Sequence, residues 1–305
     1  MILTNAHTHL ELSHLKNLCP KTPVDFVPWV RRLIWELRQR PEPVIQASIE
    51  EGLALLKAAG VTHVGDISVT GQSVIPLLQS GLKGVVFLEV VGLSFQMALE
   101  RFENAKRKIL KAKDHPDYGV MQVGLSLHAP YSCHPELLRL GAMWCRQEKI
   151  PLCIHAAESP AETSFLLNGE IPSTSWLTRR LAALLGFNNF QAPKIPPIPY
   201  LASLEVLEAR PLLVHAVQVT EEDIRLIADT GCTVIHCPRS NHLLSCGRMP
   251  LEKFLSAGVP VYLGSDSLAS SPSLDIREEA AFARHLHEDK LTSEQIDALI
   301  HTPLI

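Results

Sequence analysis

Residues 1–13 read MILTNAHTHLELS, a short apolar run that ends in two histidines one residue apart, His7 and His9. Side chains two residues apart on a β-strand share a face, so a strand closing on His-x-His presents two imidazoles to one point. That spacing suits a shared metal ion, yet two ligands make only half a site. The others must come from elsewhere in the chain, and the search for them decides the fold.

Eight apolar runs rich in β-branched residues recur, at 2–6, 61–66, 85–91, 120–128, 152–155, 212–215, 233–237 and 261–266. Continuous apolar character over that length suits strands covered on both faces. Helical patterns lie between them at 44–59, 95–111, 135–147, 221–229, 251–257 and 275–287. Gly60 and Gly258 stand at C-cap positions, and Thr220 with Asp223 has capping-box spacing. Strands and helices alternating over 305 residues predict an α/β fold, a (β/α)8 TIM-like barrel forming a single domain over 1–305. A doubly wound open sheet is the competing arrangement. The stretch 186–200, GFNNFQAPKIPPIPY, holds four prolines and no helical period; it is expected to be a surface excursion between the fifth and sixth strands.

The composition, 46% hydrophobic and 20% charged, supports a substantial core and excludes a disordered or fibrous chain. A net charge of −4 without a sizeable basic cluster implies neither nucleic acid nor an anionic membrane, so a small-molecule substrate is expected. No charged-then-apolar leader precedes His7, and no apolar run approaches the roughly 20 residues a bilayer span needs, which reads as cytoplasmic. Seven cysteines without a Cys-x-x-Cys pair form neither a disulfide framework nor a zinc ribbon, and they do not fit the deaminases with His/Cys/Cys ligation. Homo-oligomerisation is left open.

The polar residues that end the runs are the informative ones. The first closes on His7 and His9, the second on Asp66, the fourth on His128, the fifth on His155, the sixth on His215 and the eighth on Asp266. In a barrel the C-terminal strand ends converge on one mouth, so these scattered groups become neighbours. Imidazoles with a carboxylate suit Zn²⁺ or Fe²⁺ and differ from the all-oxygen cages of Ca²⁺ and Mg²⁺.

In this order and spacing NAHTHLE (5–11), HAPYSC (128–133), IHAAE (154–158), LLVHAV (212–217), HCPRSN (236–241) and LGSDSLASSPSLDIREE (263–279) resemble the amidohydrolase superfamily, in its cytosine-, guanine- and adenosyl-type deaminase branch. Within that branch HTHLELS, CPRSN and GSDSLAS are most similar to the aminodeoxyfutalosine deaminases. The resemblance implies that His7, His9, His155 and Asp266 bind one divalent metal, with Zn²⁺ ahead of Fe²⁺. A single ion is implied because the fourth strand ends near His128 and lacks the carboxylated lysine that bridges two ions in binuclear members. Glu158 and His215 are the implied acid/base pair. The implied reaction is hydrolytic deamination of an adenine-containing nucleoside or related aminoheterocycle. Asp266 accepts the proton of the attacking water, His215 holds the hydroxide, and Glu158 carries protons to the ring nitrogen and to departing ammonia.

Other residues keep two readings. His128 is expected at the barrel mouth as a substrate contact or a structural group. Glu11 reaches a ribose hydroxyl or is a solvated loop carboxylate, Arg239 and Asn241 touch substrate or shape the turn after the seventh strand, and Asp66 caps a loop rather than ligating. Most relatives in the branch carry a small β-sandwich flanking the barrel, and this chain is expected to lack it. Two further functions compete: an amidohydrolase or chlorohydrolase cleaving another heterocyclic C–N or C–Cl bond, and a barrel whose metal is structural.

Overall fold

The computed structural model describes residues 2–38, 40–169 and 191–304. Eight parallel strands pair in sequence order: β1 (Thr4–Thr8), β2 (His63–Ser68), β3 (Lys83–Val90), β4 (Met121–Leu127), β5 (Leu152–Ala156), β6 (Leu212–His215), β7 (Thr233–His236) and β8 (Val261–Leu263). The two edges meet where Thr8 bridges Asp266 and the Asp266 N–H donates to the His7 carbonyl at 2.9 Å. That contact makes the sheet a barrel and excludes the open-sheet alternative.

The eight expected strands are all present. The six expected helices are found at Glu42–Ala58, Phe95–Ala112, Pro135–Glu148, Glu221–Thr230, Leu251–Ser256 and Ile276–Leu286, and Thr220 with Asp223 forms the expected capping box. Other elements were not foreseen, among them a 3-10 segment at Leu10–Leu18 and helices at Phe26–Leu37, Pro160–Asn168, Pro197–Ser203 and Pro238–Leu243. The expected surface excursion at 186–200 needs correction. Residues 186–190 lie outside the described residues, and from Pro197 onward the chain is a helix that buries Pro197, Ile198, Tyr200 and Leu201. Its prolines fall in the first turn, where the missing N–H costs nothing because those donors have no intrahelical partner.

Ala6, Ile67, Val85, Phe87, Cys153, Leu212, Val214, Ile235 and Cys237 form one buried cluster with Leu304. They come from six strands, so they line the barrel interior, while a second and larger cluster fills the layer between strands and helices. The inner set fixes the phase of each strand and shows where that phase is broken. Leu212 and Val214 face inward, so a regular β6 would turn His215 outward. Instead His215 (φ 76°) and Ala216 (φ 45°) adopt left-handed backbone, which re-aims the imidazole. On β1 a register irregularity between Asn5 and Thr8 does the same for His7, which is out of phase with inward Ala6.

Gly264 lies directly against this seam. A Cβ there would stand 2.6 Å from the His7 Cβ and 2.9 Å from the His7 nitrogen. Gly264→Ala is expected to lower stability by about 1–3 kcal/mol through overpacking and to weaken metal retention. Chemical denaturation together with metal analysis checks both, and a variant as stable and metal-retentive as the parent would refute the close approach.

Candidate active site

At the mouth of the barrel the ring nitrogens of three histidines point at one another. His7 Nε2 is 3.1 Å from His9 Nε2 and 3.3 Å from His155 Nε2, and Asp266 Oδ1 lies 3.5 Å from His9 Nε2 and 3.7 Å from His7 Nε2. Donors placed tetrahedrally at about 2.05 Å from a zinc ion would stand about 3.3 Å apart, a spacing that the His7–His9 and His7–His155 separations match, with Asp266 beside them. Burial is the main force holding the pKa of His7, His9 and His155 below the ordinary histidine range, and for His7 and His155 the neighbouring imidazoles add to it. The rings are therefore neutral and carry the lone pairs a metal requires. Among the described residues His7, His9 and His155 form a group that could hold an ion.

The surroundings orient each ligand. His155 Nδ1 lies 2.9 Å from the His128 carbonyl, to which it can only donate, and this leaves Nε2 bare toward the cluster. Asp266 has left-handed backbone (φ 59°), and its Oδ2 accepts from Ser240 Oγ at 2.6 Å and Ser270 Oγ at 2.7 Å. Burial works to raise its pKa, but His9, His215 and the two serines outweigh it and hold the group ionised. Asp66 is a capping residue, as expected. It accepts from the Leu10 N–H and Thr8 Oγ1, both at 2.9 Å, and from Ser73 Oγ at 2.7 Å, clamping the chain on either side of His9.

Glu158 and His215 face each other beside the cluster, with Oε1 3.4 Å from Nε2. Burial first, then the charges of Asp266 and Glu162, push Glu158 well above the usual carboxylate range, which favours its acid form. His215 is held below its ordinary value, again chiefly by burial, which favours the neutral imidazole. The turn carrying Glu158 is fixed by Glu162, whose carboxylate accepts from the Ala157 N–H at 3.1 Å and the Glu158 N–H at 2.8 Å. Sequence reasoning passed over Glu162, although Ser159 and Glu162 have capping-box spacing.

The other expected residues divide. His128 is at the mouth, its Nδ1 2.5 Å from Ser132 Oγ, and burial followed by His9 lowers its pKa to about 4. Glu11 is buried rather than solvated, and its carboxylate accepts from Ser68 Oγ, Thr70 Oγ1 and the Thr70 N–H. Arg239 spends its guanidinium on Glu279, Glu278 and the Ser273 carbonyl, which anchors the segment after β8. Asn241 Oδ1 lies 2.8 Å from His215 Nδ1, so its partner in the structure is His215. Glu89, at the end of β3, was not foreseen. It lies with His128 and His155 so that ligand atoms of the three are within 4.8 Å, and burial plus the Glu11 charge raise its pKa to about 8. Its signal was a lone carboxylate two residues after inward Phe87 in an otherwise apolar run.

The sequence profile of the amidohydrolase family matches residues 3–299. The chain belongs to the amidohydrolase family. Among curated relatives, an aminodeoxyfutalosine deaminase from Deinococcus radiodurans is 35% identical over 291 residues, covering 93% of this chain and 67% of the relative. A 5-methylthioadenosine/S-adenosylhomocysteine deaminase from Pyrococcus furiosus is 28% identical, covering 96% and 66%. This family member thus spans about two thirds of the length of the curated relatives it matches. Among solved structures, aminofutalosine deaminase from Helicobacter pylori in complex with methylthio-coformycin superimposes with a TM-score of 0.80 at 24% identity, over 98% of this chain and 70% of that one, which supports the barrel fold.

The serine pair behind Asp266 yields a test. Replacing both Ser240 and Ser270 with alanine is expected to weaken metal affinity about 10- to 100-fold while leaving the four ligands in place. Competition with a chromogenic chelator measures it; unchanged affinity would mean that Asp266 needs no support from behind.

Proposed function

We propose that this protein is a cytoplasmic, mononuclear metal-dependent deaminase that hydrolyses the exocyclic amino group of an adenine-containing nucleoside, with aminodeoxyfutalosine the first candidate. The observation that carries the proposal is the pairing of Glu158 with His215, 3.4 Å apart, beside the cluster of His7, His9 and His155 and the adjoining Asp266. The names of the relatives support the substrate class.

A divalent ion bound by those four residues would lower the pKa of its water toward about 7 and so supply hydroxide at neutral pH. Asp266 is placed to take the first proton of that water on Oδ1, because Oδ2 is occupied by two serine hydroxyls. His215 Nε2, bare because Nδ1 is turned to Asn241, accepts a hydrogen bond from the nucleophile and holds it toward the ring carbon. Glu158 gives its proton to the ring nitrogen next to that carbon. The second proton of the water passes through Glu158 to the amino group, which leaves as ammonia, and Asp266 then hands the first to Glu158 and restores its acid form. The two protons of water thus replace the one given to the ring nitrogen and supply the one on ammonia, so the balance closes. Loss of ammonia needs an acid at this place, and that requirement favours deamination over chloride displacement, in which the leaving group takes no proton.

Ammonia release and metal content measured on one preparation test the proposal, with adenosine, S-adenosylhomocysteine, methylthioadenosine and aminodeoxyfutalosine as substrates. About one metal per chain is expected. Glu158→Gln is expected to reduce kcat by about 10²- to 10⁴-fold without loss of metal, and chelation should abolish turnover until Zn²⁺ is restored. The acid form of Glu158 exists only below its raised pKa, so kcat/KM should fall as pH rises through that value. A metal-loaded protein inert toward all four substrates would overturn the substrate class, and an active Glu158→Gln would overturn the mechanism.

A further inference from the structure

Behind His215 a file of polar side chains leaves the barrel mouth and runs to the outer helical layer. His215 Nδ1 is 2.8 Å from Asn241 Oδ1, and Asn241 Nδ2 is 3.4 Å from Nδ1 of His236, the last residue of β7. His236 Nε2 is 3.3 Å from Nε2 of His287, which caps the helix Ile276–Leu286. His287 Nδ1 is 3.8 Å from Glu252 Oε2, on the helix Leu251–Ser256. Those two atoms are both buried, and neither has a hydrogen-bond partner among the described residues. The other Glu252 oxygen accepts from Arg248, which is itself tied to the Leu286 carbonyl and to Asp289. His236 and His287 are fully buried.

A neutral imidazole has one N–H and one lone pair, and a primary amide has a donor end and an acceptor end, so every link in such a file constrains the next. In one direction His215 Nδ1–H donates to Asn241 Oδ1 and the Asn241 amide donates to His236 Nδ1. His236 Nε2–H then donates to His287 Nε2, and His287 Nδ1–H points at Glu252. In the other direction every donor and acceptor is exchanged, Asn241 is turned over, and a bare His287 nitrogen faces a carboxylate oxygen. Two lone pairs facing across a buried gap repel, so the carboxylate selects the first direction. The same direction leaves His215 Nε2 bare at the reaction centre, where the deaminase mechanism needs a base. We infer that Glu252, through His287, His236 and Asn241, sets the tautomer of His215, and that His236, His287 and Glu252 are positioning residues of the reaction although none touches the substrate. Burial keeps His236 and His287 neutral, with His287 lowered to about 4 by burial and then by Arg248, so the file works with neutral rings.

The catalytic half of this inference rests on the deaminase reading, and the tautomer half does not. The test uses the metal-loaded full chain labelled with ¹⁵N-histidine and the variant Glu252→Gln, whose amide can offer His287 either a donor or an acceptor. Long-range ¹H–¹⁵N spectra of the parent should show His215 protonated at Nδ1 and His236 at Nε2. In Glu252→Gln those signals should shift toward mixed tautomers, and kcat should fall about tenfold with KM, metal content and thermal midpoint unchanged. Glu252→Asp should restore the parent pattern in large part. Parent spectra with His215 protonated at Nε2, or a Glu252→Gln variant with unaltered spectra and kcat, would overturn the inference. A parent that releases no ammonia from any adenine nucleoside would overturn the deaminase reading instead, with the spectra still deciding the file.

Discussion

One hydrogen bond, from the Asp266 N–H to the His7 carbonyl, joins the first strand to the segment that follows the last. Residues 7 and 266 would lie at opposite edges of an open sheet, and only closure brings their side chains to one point. Asn5 reinforces the seam, accepting from the Ser265 N–H at 3.0 Å and donating to Ser265 Oγ at 2.7 Å and the Leu274 carbonyl at 3.1 Å. Barrel closure and assembly of the metal-binding cluster are therefore one event. The absence of a side chain at Gly264 serves both, because the same close approach that completes the hydrogen bonding fixes the depth at which His7 sits.

Closure also creates an electrostatic demand. Several imidazoles and two carboxylates are drawn into a mouth where burial penalises every charge. The protein answers differently for each: the imidazoles are held below their ordinary range, Glu158 is pushed well above the carboxylate range, and Asp266 is held below it because His9, His215 and the two serine donors outweigh burial. An acid, a base and a set of lone pairs facing one point follow from burial, before any substrate arrives. This division is what general acid/base chemistry near neutral pH requires.

The sequence displayed much of this because barrel strands are apolar throughout, so a polar residue at the end of a run stands out. His7, His9, His155, His215 and Asp266 each close such a run, and Glu158 follows His155 by three residues; the structure gathers these six residues at one mouth. The residues that escaped reading lack that contrast. Ser240 and Ser270 look like ordinary loop serines until the fold puts their hydroxyls on Asp266. His236 and His287 are 51 positions apart, and no local pattern signals that their rings meet. The helices at Pro160–Asn168, Pro197–Ser203 and Pro238–Leu243 are too short for periodicity to register, and each opens on a proline that reads as a breaker until its place in the first turn is known.

The last of those helices shows how few residues suffice to coordinate the site. Successive side chains on a helix diverge by about 100°, so three consecutive residues can serve three separate partners. Arg239 grips Glu279 on the helix after β8, Ser240 supports the ligand Asp266, and Asn241 meets the base His215. Asp266 and His215 come from the segment after β8 and from β6, yet their orientations are set from adjacent positions of one turn. A displacement of that turn would disturb both together. The buried Arg239–Glu279 pair resists such a displacement, because breaking it would strand a charge in a dry environment. The Arg239 guanidinium, held by Glu279, Glu278 and the Ser273 carbonyl, is thus an anchor on which the geometry of Asp266 and His215 depends.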